Sequence, residues 1–261
     1  MAERLAYLRH QPLRILDAGT GLAQSFPLLR RHYPHAELIG LDFSDILLRE
    51  ARGKSSLVDR LKARFTSAAS HLVCADFSRM PIGASSLGLV WSNLALAWAA
   101  DAPAAIREFQ RVLTPGGLLM FSTYGPDTLK ELREAFRKCD GYAHVHPFID
   151  MHDLGDMLLS GGFAAPVMDM ETLTLTYAGM AGLFDDLRRS GQVNAAADRS
   201  RGLTGRAAWR RMLDDCSGRF RDGRISATFE IVYGHAWKVA PGTAPDGRKF
   251  IRFEQRPSPR A

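Results

Sequence analysis

The chain has 261 residues, 46% of them hydrophobic and 24% charged, a balance that gives one globular unit room for a sizeable core. Three widely spaced cysteines, Cys74, Cys139 and Cys216, exclude a disulfide framework and a thiolate zinc site. The longest apolar run, Leu89 to Ala100, is too short to span a bilayer, and charges at Glu3, Arg4, Arg9 and Arg14 leave no apolar leader core, so a cytoplasmic protein without a membrane partner is expected.

Strand and helix patterns alternate through the first half. Arg14 to Asp17 reads as a short strand ending at a glycine turn, Leu22 to Tyr33 as a helix and Glu37 to Asp42 as a second strand. A helix from about Asp45 to Arg64 follows, then strands at His71 to Ala75 and Leu87 to Ser92, a helix at Pro103 to Leu113 and a strand at Gly117 to Tyr124. Pro115, Gly116 and Gly117 stop that helix and turn the chain. Pro126 suits a first helical turn, and Leu129, Leu132 and Phe136 give helical spacing over Asp127 to Lys138. A further helix, Met151 to Ser160, ends at Gly161 and Gly162; Leu173 to Tyr177 and Thr228 to Val239 alternate as strands.

The expected fold is α/β: a Rossmann-like, seven-stranded, mostly parallel sheet with helices on both faces and a helical insertion before the last strand. The division is a core over 1–177, an insertion over 178–224 whose helices cross from one edge strand to the next over the mouth of the sheet, a final core strand over 225–239, and a Pro- and Gly-rich disordered tail over 240–261. The net charge of +6 is concentrated in that insertion, where ten arginines between Arg188 and Arg224 face four aspartates. Such a patch is either a solvated helical face or a surface for an acidic partner. Nucleic acid is not expected, because aromatic residues are not interleaved and no reading module is present.

Four strand ends carry the chemistry. The run ILDAGTG, Ile15 to Gly21, sets Asp17, Gly19 and Gly21 where the first strand turns; glycine lets the backbone turn tightly and a ligand approach, and Asp17 can accept from the amino group of an amino-acid ligand. Ala23 and Gln24 follow, so the third glycine of a nicotinamide-binding turn is missing. Asp42, 21 positions after Gly21 and followed by Phe43, is placed to accept both hydroxyls of a ribose, or else to cap the helix that follows. Asp76 with Phe77 suits an adenine amino group and its ring. Asn93 and Leu94 end the fourth strand, where open α/β sheets hold ligands.

The segments ILDAGTG, LIGLDFS, CADFSRMP, LVWSNLALAW and RVLTPGGLLMFSTYGPDTLKELR resemble the successive motifs of class I S-adenosylmethionine-dependent methyltransferases. From Ile15 to Lys238 the chain also resembles the biotin-pathway malonyl-acyl-carrier-protein O-methyltransferases, through SNLALAW, GPDTLKEL, HVHPFIDMHDLGDMLLSGGF, SGQVNAAADRSRGLTGR and ATFEIVYGHAWK. The resemblance implies S-adenosylmethionine as cofactor, with Asp17, Gly19 and Gly21 on its methionine part, Asp42 and Phe43 at the ribose, Asp76 and Phe77 at the adenine, and Asn93 and Leu94 closing the crevice. It implies esterification of the free carboxylate of a malonyl thioester on an acidic acyl-carrier protein, or of a coenzyme A thioester, with the arginine patch as docking surface. Because that carboxylate is already ionised, no catalytic dyad is needed, and Tyr124, Arg133, His144 and His146 are the candidates for positioning the acceptor.

Three positions depart from that family. Only thirteen residues precede Arg14, Pro147 stands where an arginine suited to the acceptor carboxylate is common, and Thr20 replaces a frequent cysteine. Pro147 and the segments GPDTLKELR, HVHPF and GQVNAAADR are similar to arginine hydroxylases that assemble mitochondrial complex I, which gives an alternative in which His144, His146, His152 and Asp153 are pictured as an iron site. His152 and Asp153 open a predicted helix and are more simply a cap and a surface residue, so no metal is expected. The third alternative is a cofactor-binding paralogue without catalysis.

Overall fold

A computed structural model describes residues 1–5, 8, 10–54, 69–137, 139–196, 198–200, 202–218, 222–239, 242–243 and 249–250. The chain runs α1 (Ala2–Leu5), β1 (Arg14–Ala18), α2 (Phe26–His32), β2 (Glu37–Asp42), α3 (Asp45–Lys54), β3 (Ser70–Cys74), β4 (Leu87–Asn93) and a 3-10 turn (Leu96–Trp98). It continues through α4 (Ala102–Val112), β5 (Leu113–Tyr124), α5 (Lys130–Arg137), α6 (Met151–Ser160), β6 (Phe163–Tyr177), α7 (Met180–Arg189), α8 (Arg206–Ser217) and β7 (Ile225–Lys238).

Seven strands form one sheet in the order β3-β2-β1-β4-β5-β7-β6. The five strands β1 to β5 pair in parallel, and β7 runs antiparallel to both β5 and β6. Chain order reverses between β1 and β4, so the crevice at their carboxyl ends is the switch point at which such sheets take ligands. The expected α/β architecture is therefore present.

Local sequence explains the elements around that crevice. In β4, Val90, Trp91 and Ser92 are all buried, as befits a central strand covered on both faces. Helix α4 starts where the Asp101 side chain accepts from Ala104 N–H at 2.8 Å, a cap worth about 1 kcal/mol, with Pro103 in the first turn. Its buried residues Ala102, Ala105, Ile106, Phe109 and Val112 fall on one helical stripe against the sheet. That stripe and α6 form the main core on one face, while Leu29 and Tyr33 pack against Ile15, Leu38 and Leu89 on the other.

Several boundaries differ from the sequence expectation. Helix α2 begins at Phe26 rather than Leu22, because Gly19, Gly21 and Ala23 take positive φ and hold the preceding residues in a loop. Leu129 also has positive φ, so α5 starts at Lys130 and not at Asp127. The expected strand Leu173 to Tyr177 is only the end of a 15-residue β6. Pro166 masks its earlier half: it sits at an irregularity between Ala164 and Val167 on an edge strand, where a missing N–H is tolerated. The insertion joins neighbouring strands rather than two edges, since β7 lies inside the sheet.

Its helices α7 and α8 are tied down by a satellite core in which Leu183, Leu187 and Met212 meet Leu132 and Phe136 of α5 and Ile225 and Ala227 of β7. The expected continuation of α3 to Arg64 lies outside the described residues. Of the expected disordered tail over 240–261, Gly242–Thr243 pairs with Lys249–Phe250, and residues 240–241, 244–248 and 251–261 likewise lie outside the described residues. Among the described residues no helix is long and apolar enough to cross a membrane.

Gly234 of β7 tests the packing of this sheet. A Cβ there would lie 2.4 Å from Phe121 Cζ and 2.9 Å from Met168 Sδ. Gly234→Ala is expected to cost about 1–3 kcal/mol through overpacking, seen as a lower urea midpoint with unchanged slope.

Candidate functional site

The turn after β1 hangs from the end of β2. Gly19 and Thr20 N–H groups both donate to Leu41 O, at 2.8 and 3.0 Å, and Gly21 N–H donates to Asp42 Oδ2 at 2.8 Å. Gly19 has φ +79°, and a Cβ on it would lie 2.2 Å from Ala95 Cβ, so this turn also presses against the chain leaving β4. Gly21 has φ +53° and nothing within 4 Å of an added Cβ, so the space beside it is open. Ser92 Oγ donates to Ala18 O at 3.0 Å and locks β4 to the end of β1.

Each Asp42 oxygen takes one backbone N–H, Oδ2 from Gly21 and Oδ1 from Ser44 at 2.9 Å, and each keeps a second lone pair for a ligand hydroxyl. The open glycine cradle beside a carboxylate acceptor fits an adenosyl group carrying an amino-acid chain. Phe43 is 77% exposed beside it. Asp76 is exposed, and its Oδ1 accepts from Ser78 N–H at 2.7 Å. Phe77 is turned inward, 5.8 Å from the Phe109 ring, and packs against the main core. Asn93 is exposed with Oδ1 accepting from Ser122 Oγ at 2.8 Å, and Leu94 takes φ +55° with its N–H on Ser122 O.

Asp17 lies behind the turn rather than in the open. It is 2% exposed, and Oδ2 accepts from Thr20 Oγ1 at 2.6 Å and from Ser25 Oγ. Burial pushes its carboxyl up to about 6; the Ser25 and Thr20 hydroxyls pull it down, and the Asp42 charge adds to the rise.

The four acceptor-side candidates divide into groups held by neighbours and groups facing space. Arg133 donates to Pro126 O and Thr128 O, at 2.7 and 3.0 Å, bracing the loop before α5. His144 stacks on Phe136 with ring centroids 3.8 Å apart, and its Nε2 is 2.8 Å from Asp140 Oδ1. Tyr124 packs between Phe148 and Phe229, and burial pushes its hydroxyl up to about 12. His146 lies between Trp98 and Phe148, its Nδ1 is buried without a partner, and burial lowers its pKa against opposing effects of the Ala97 backbone and the Asp198 charge. His152 instead pairs with Asp150 at the surface, 2.9 Å away. Among the described residues no three histidine, cysteine or carboxylate side chains are grouped to hold a metal ion.

Two cavities share His146 and Phe148 as a wall. One, about 530 Å³, abuts the strand ends through Leu96, Ala97 and Thr123. The other, about 270 Å³, opens beneath the insertion among Trp98, Phe184, Arg188 and Trp209. Apart from His146 and Arg188, sequence reasoning did not find these residues, nor Glu230, a buried carboxylate on β7. Glu230 Oε2 accepts from Asp127 N–H at 2.7 Å, and a Cβ on Gly125 would lie 2.4 Å from its Cδ. The separate GPDT and TFEIVY motifs are thus two halves of one joint.

Comparisons with known proteins agree with this arrangement. The Methyltransferase domain family matches residues 16–121. The malonyl-[acyl-carrier protein] O-methyltransferase of Gallionella capsiferriformans is 49% identical over 252 residues, covering 97% of this chain and 86% of the relative. That of Laribacter hongkongensis is 48% identical over 258 residues, with the same coverage of 97% and 86%. Among solved structures, the YcgJ protein of Bacillus subtilis superposes with a TM-score of 0.63 at 15% identity, covering 91% of this chain and 97% of that one. A putative methyltransferase of Bacillus halodurans gives 0.62 at 17% identity, with 92% and 97% covered. These structural likenesses concern the fold.

The raised Asp17 carboxyl makes stability depend on pH. Its folded value, about 6, exceeds the ordinary 3.8, so its contribution is most favourable below the lower value and declines as pH rises through the upper one. Hydroxyl donors matter most once the group is charged. Thr20→Val is therefore expected to cost about 1.5–3 kcal/mol at pH 8 and less at pH 5, measured by urea unfolding; equal losses at both values would remove the charge-dependent role.

Proposed function

Because the chain belongs to the malonyl-[acyl-carrier protein] O-methyltransferase family, we propose that it esterifies the free carboxylate of a malonyl thioester in biotin precursor synthesis, using S-adenosylmethionine as methyl donor. The observation that carries this reading is the open Gly21–Asp42 crevice at the β1/β4 switch point, beside two cavities at the same end of the sheet.

When bound, S-adenosylmethionine supplies a methyl group activated by a sulfonium. Gly19 and Gly21 make room for the amino-acid part, with Asp17 behind them keeping the turn in shape. Asp42 accepts the ribose hydroxyls, Phe43 flanks them, Asp76 and Phe77 border the adenine, and Asn93 and Leu94 close the crevice. These roles are supported by the placement of those residues at successive strand ends.

On the acceptor side the protein's task is positioning. A malonyl carboxylate is ionised at neutral pH and needs no base, and holding it in line is worth on the order of 7–11 kcal/mol. Tyr124, with its hydroxyl at about 12, keeps its proton and acts as a donor or packing group, not a base. Arg133 and His144 support the site's walls, and His146 is the candidate that faces the acceptor.

The division into a 1–177 core, a 178–224 acceptor-side insertion, a 225–239 strand and a 240–261 tail belongs to the same proposal. So does a cytoplasmic setting, supported by Cys74, Cys139 and Cys216, which are not joined in disulfides. Docking of an acidic carrier is assigned to the insertion, where Arg206 and Arg210 are exposed one turn apart on α8.

Titration calorimetry should detect binding of S-adenosylmethionine and of its demethylated product, with Asp42→Asn weakening both by roughly 10- to 100-fold. No heat from folded protein would refute the cofactor site. With labelled cofactor, malonyl-carrier should yield a methyl ester. Charge reversal of Arg206 and Arg210 together should raise KM for malonyl-carrier roughly tenfold, with a smaller effect on malonyl-coenzyme A; unchanged KM for the carrier would refute the docking surface.

A further inference from the structure

We propose that the cavity of about 270 Å³ under the insertion is the channel for the acyl thioester's prosthetic arm, entered past Arg188 and ending at His146. This rests on the thioester reading above and adds where the arm runs and which groups recognise it.

The chemistry of the arm is a thioester at one end, two amides separated by methylenes, and a phosphodiester at the other. The cavity offers matching features. Its inner end is His146, whose buried Nδ1 has no partner and whose ring forms the wall shared with the cavity at the strand ends. A polar atom left bare in this way costs about 1–3 kcal/mol, which the amide N–H nearest the arm's thioester can relieve by donating to it, since the ring's other nitrogen carries the proton that faces the Ala97 backbone. Its sides are aromatic: Trp98 and Phe148 flank His146, with ring centroids 5.7 and 5.4 Å from it, while Phe184 and Trp209 lie 5.3 Å apart on the other side. Such surfaces suit methylenes.

Gln192 and Thr204 add amide and hydroxyl groups to the lining, suited to the arm's amides. Other polar side chains are already engaged: Asn194 holds Ala143 O and Ala196 N–H, and His144 holds Asp140. Arg188 stands at the rim with its side chain 72% exposed and only a 4.0 Å approach to Asp185, leaving its guanidinium available for a phosphate. It lies on the same insertion as Arg206 and Arg210, so a carrier docked there would deliver its arm beside the opening.

Three substrates separate the parts of this proposal: malonyl-pantetheine, which lacks the phosphate, malonyl-coenzyme A and malonyl-carrier. Arg188→Glu should raise KM roughly tenfold for the two phosphate-bearing substrates, with kcat little changed and KM for malonyl-pantetheine unaltered. Val193→Phe, a substitution at an exposed lining residue, should narrow the opening and raise KM for all three. Coenzyme A alone should quench tryptophan fluorescence through Trp98 and Trp209, and Val193→Phe should weaken that titration. Calorimetry with S-adenosylmethionine on each variant checks that the fold and crevice are intact. Equal effects of Arg188→Glu on all three substrates, or unchanged KM values in Val193→Phe, would overturn the channel while leaving the methyl-transfer reading in place. Failure of the wild-type protein to methylate any of the three would overturn the thioester reading itself.

Discussion

Three backbone N–H groups, those of Gly19, Thr20 and Gly21, are held by the last two residues of the neighbouring strand, Leu41 and Asp42. The rest of the crevice depends on this tie. It fixes the turn leaving β1 against the end of β2, and the contact between Gly19 and Ala95 brings the chain leaving β4 onto the same turn. Ser92, bonded to Ala18 O, closes the set from the other side. A carboxylate that anchors a turn through one lone pair on each oxygen retains a second lone pair on each, so Asp42 holds the fold while keeping the acceptor capacity that its proposed ligand role requires.

Asp17 shows the opposite use of a carboxylate. Its burial disfavours the charged form, and two hydroxyls offset part of that cost without exposing it. The acidic residue of the first motif therefore shapes the turn from behind, while the proposed ligand contacts fall to backbone and to Asp42. Removing a side chain at Gly21 creates the opening; filling the space behind it with Asp17, Thr20 and Ser25 keeps that opening in place.

The acceptor side is built from the reversed strand. Because β7 runs against its neighbours, the link from β6 returns at the carboxyl ends of the parallel strands, and the insertion is anchored there by the satellite core. On β7, Glu230 holds the loop ahead of α5 through Asp127 N–H, and Thr228 holds α5 itself by donating to Glu131. The arginine-bearing helices are thereby joined to the sheet by packing and hydrogen bonds, with Arg206 and Arg210 exposed on α8. Within this frame Arg133 and His144 act as braces and His146 as the group with a free ring nitrogen.

Much of the crevice was legible in the sequence because its signals are local. Glycines at 19 and 21 announce a turn by the conformations they permit, an acidic residue 21 positions on marks the next strand end, and the continuous apolar run of β4 declares a strand covered on both faces. The resemblance of successive motifs added the family. The first half of β6 was hidden because Pro166 and a bulge break the alternation that identifies a strand, while only pairing with β7 restores it. Likewise, the inward turn of Phe77, the burial of Asp17 and the cavity walls are not properties of neighbouring residues. Trp98, His146, Phe184 and Trp209 are far apart along the chain and meet only after the sheet is assembled and α5, α7 and α8 pack over it. The sequence determined which strand ends bear polar groups, since backbone conformation and amphipathic period are written locally; the tertiary structure decided which of those groups face a ligand, since that depends on what long-range packing has already occupied.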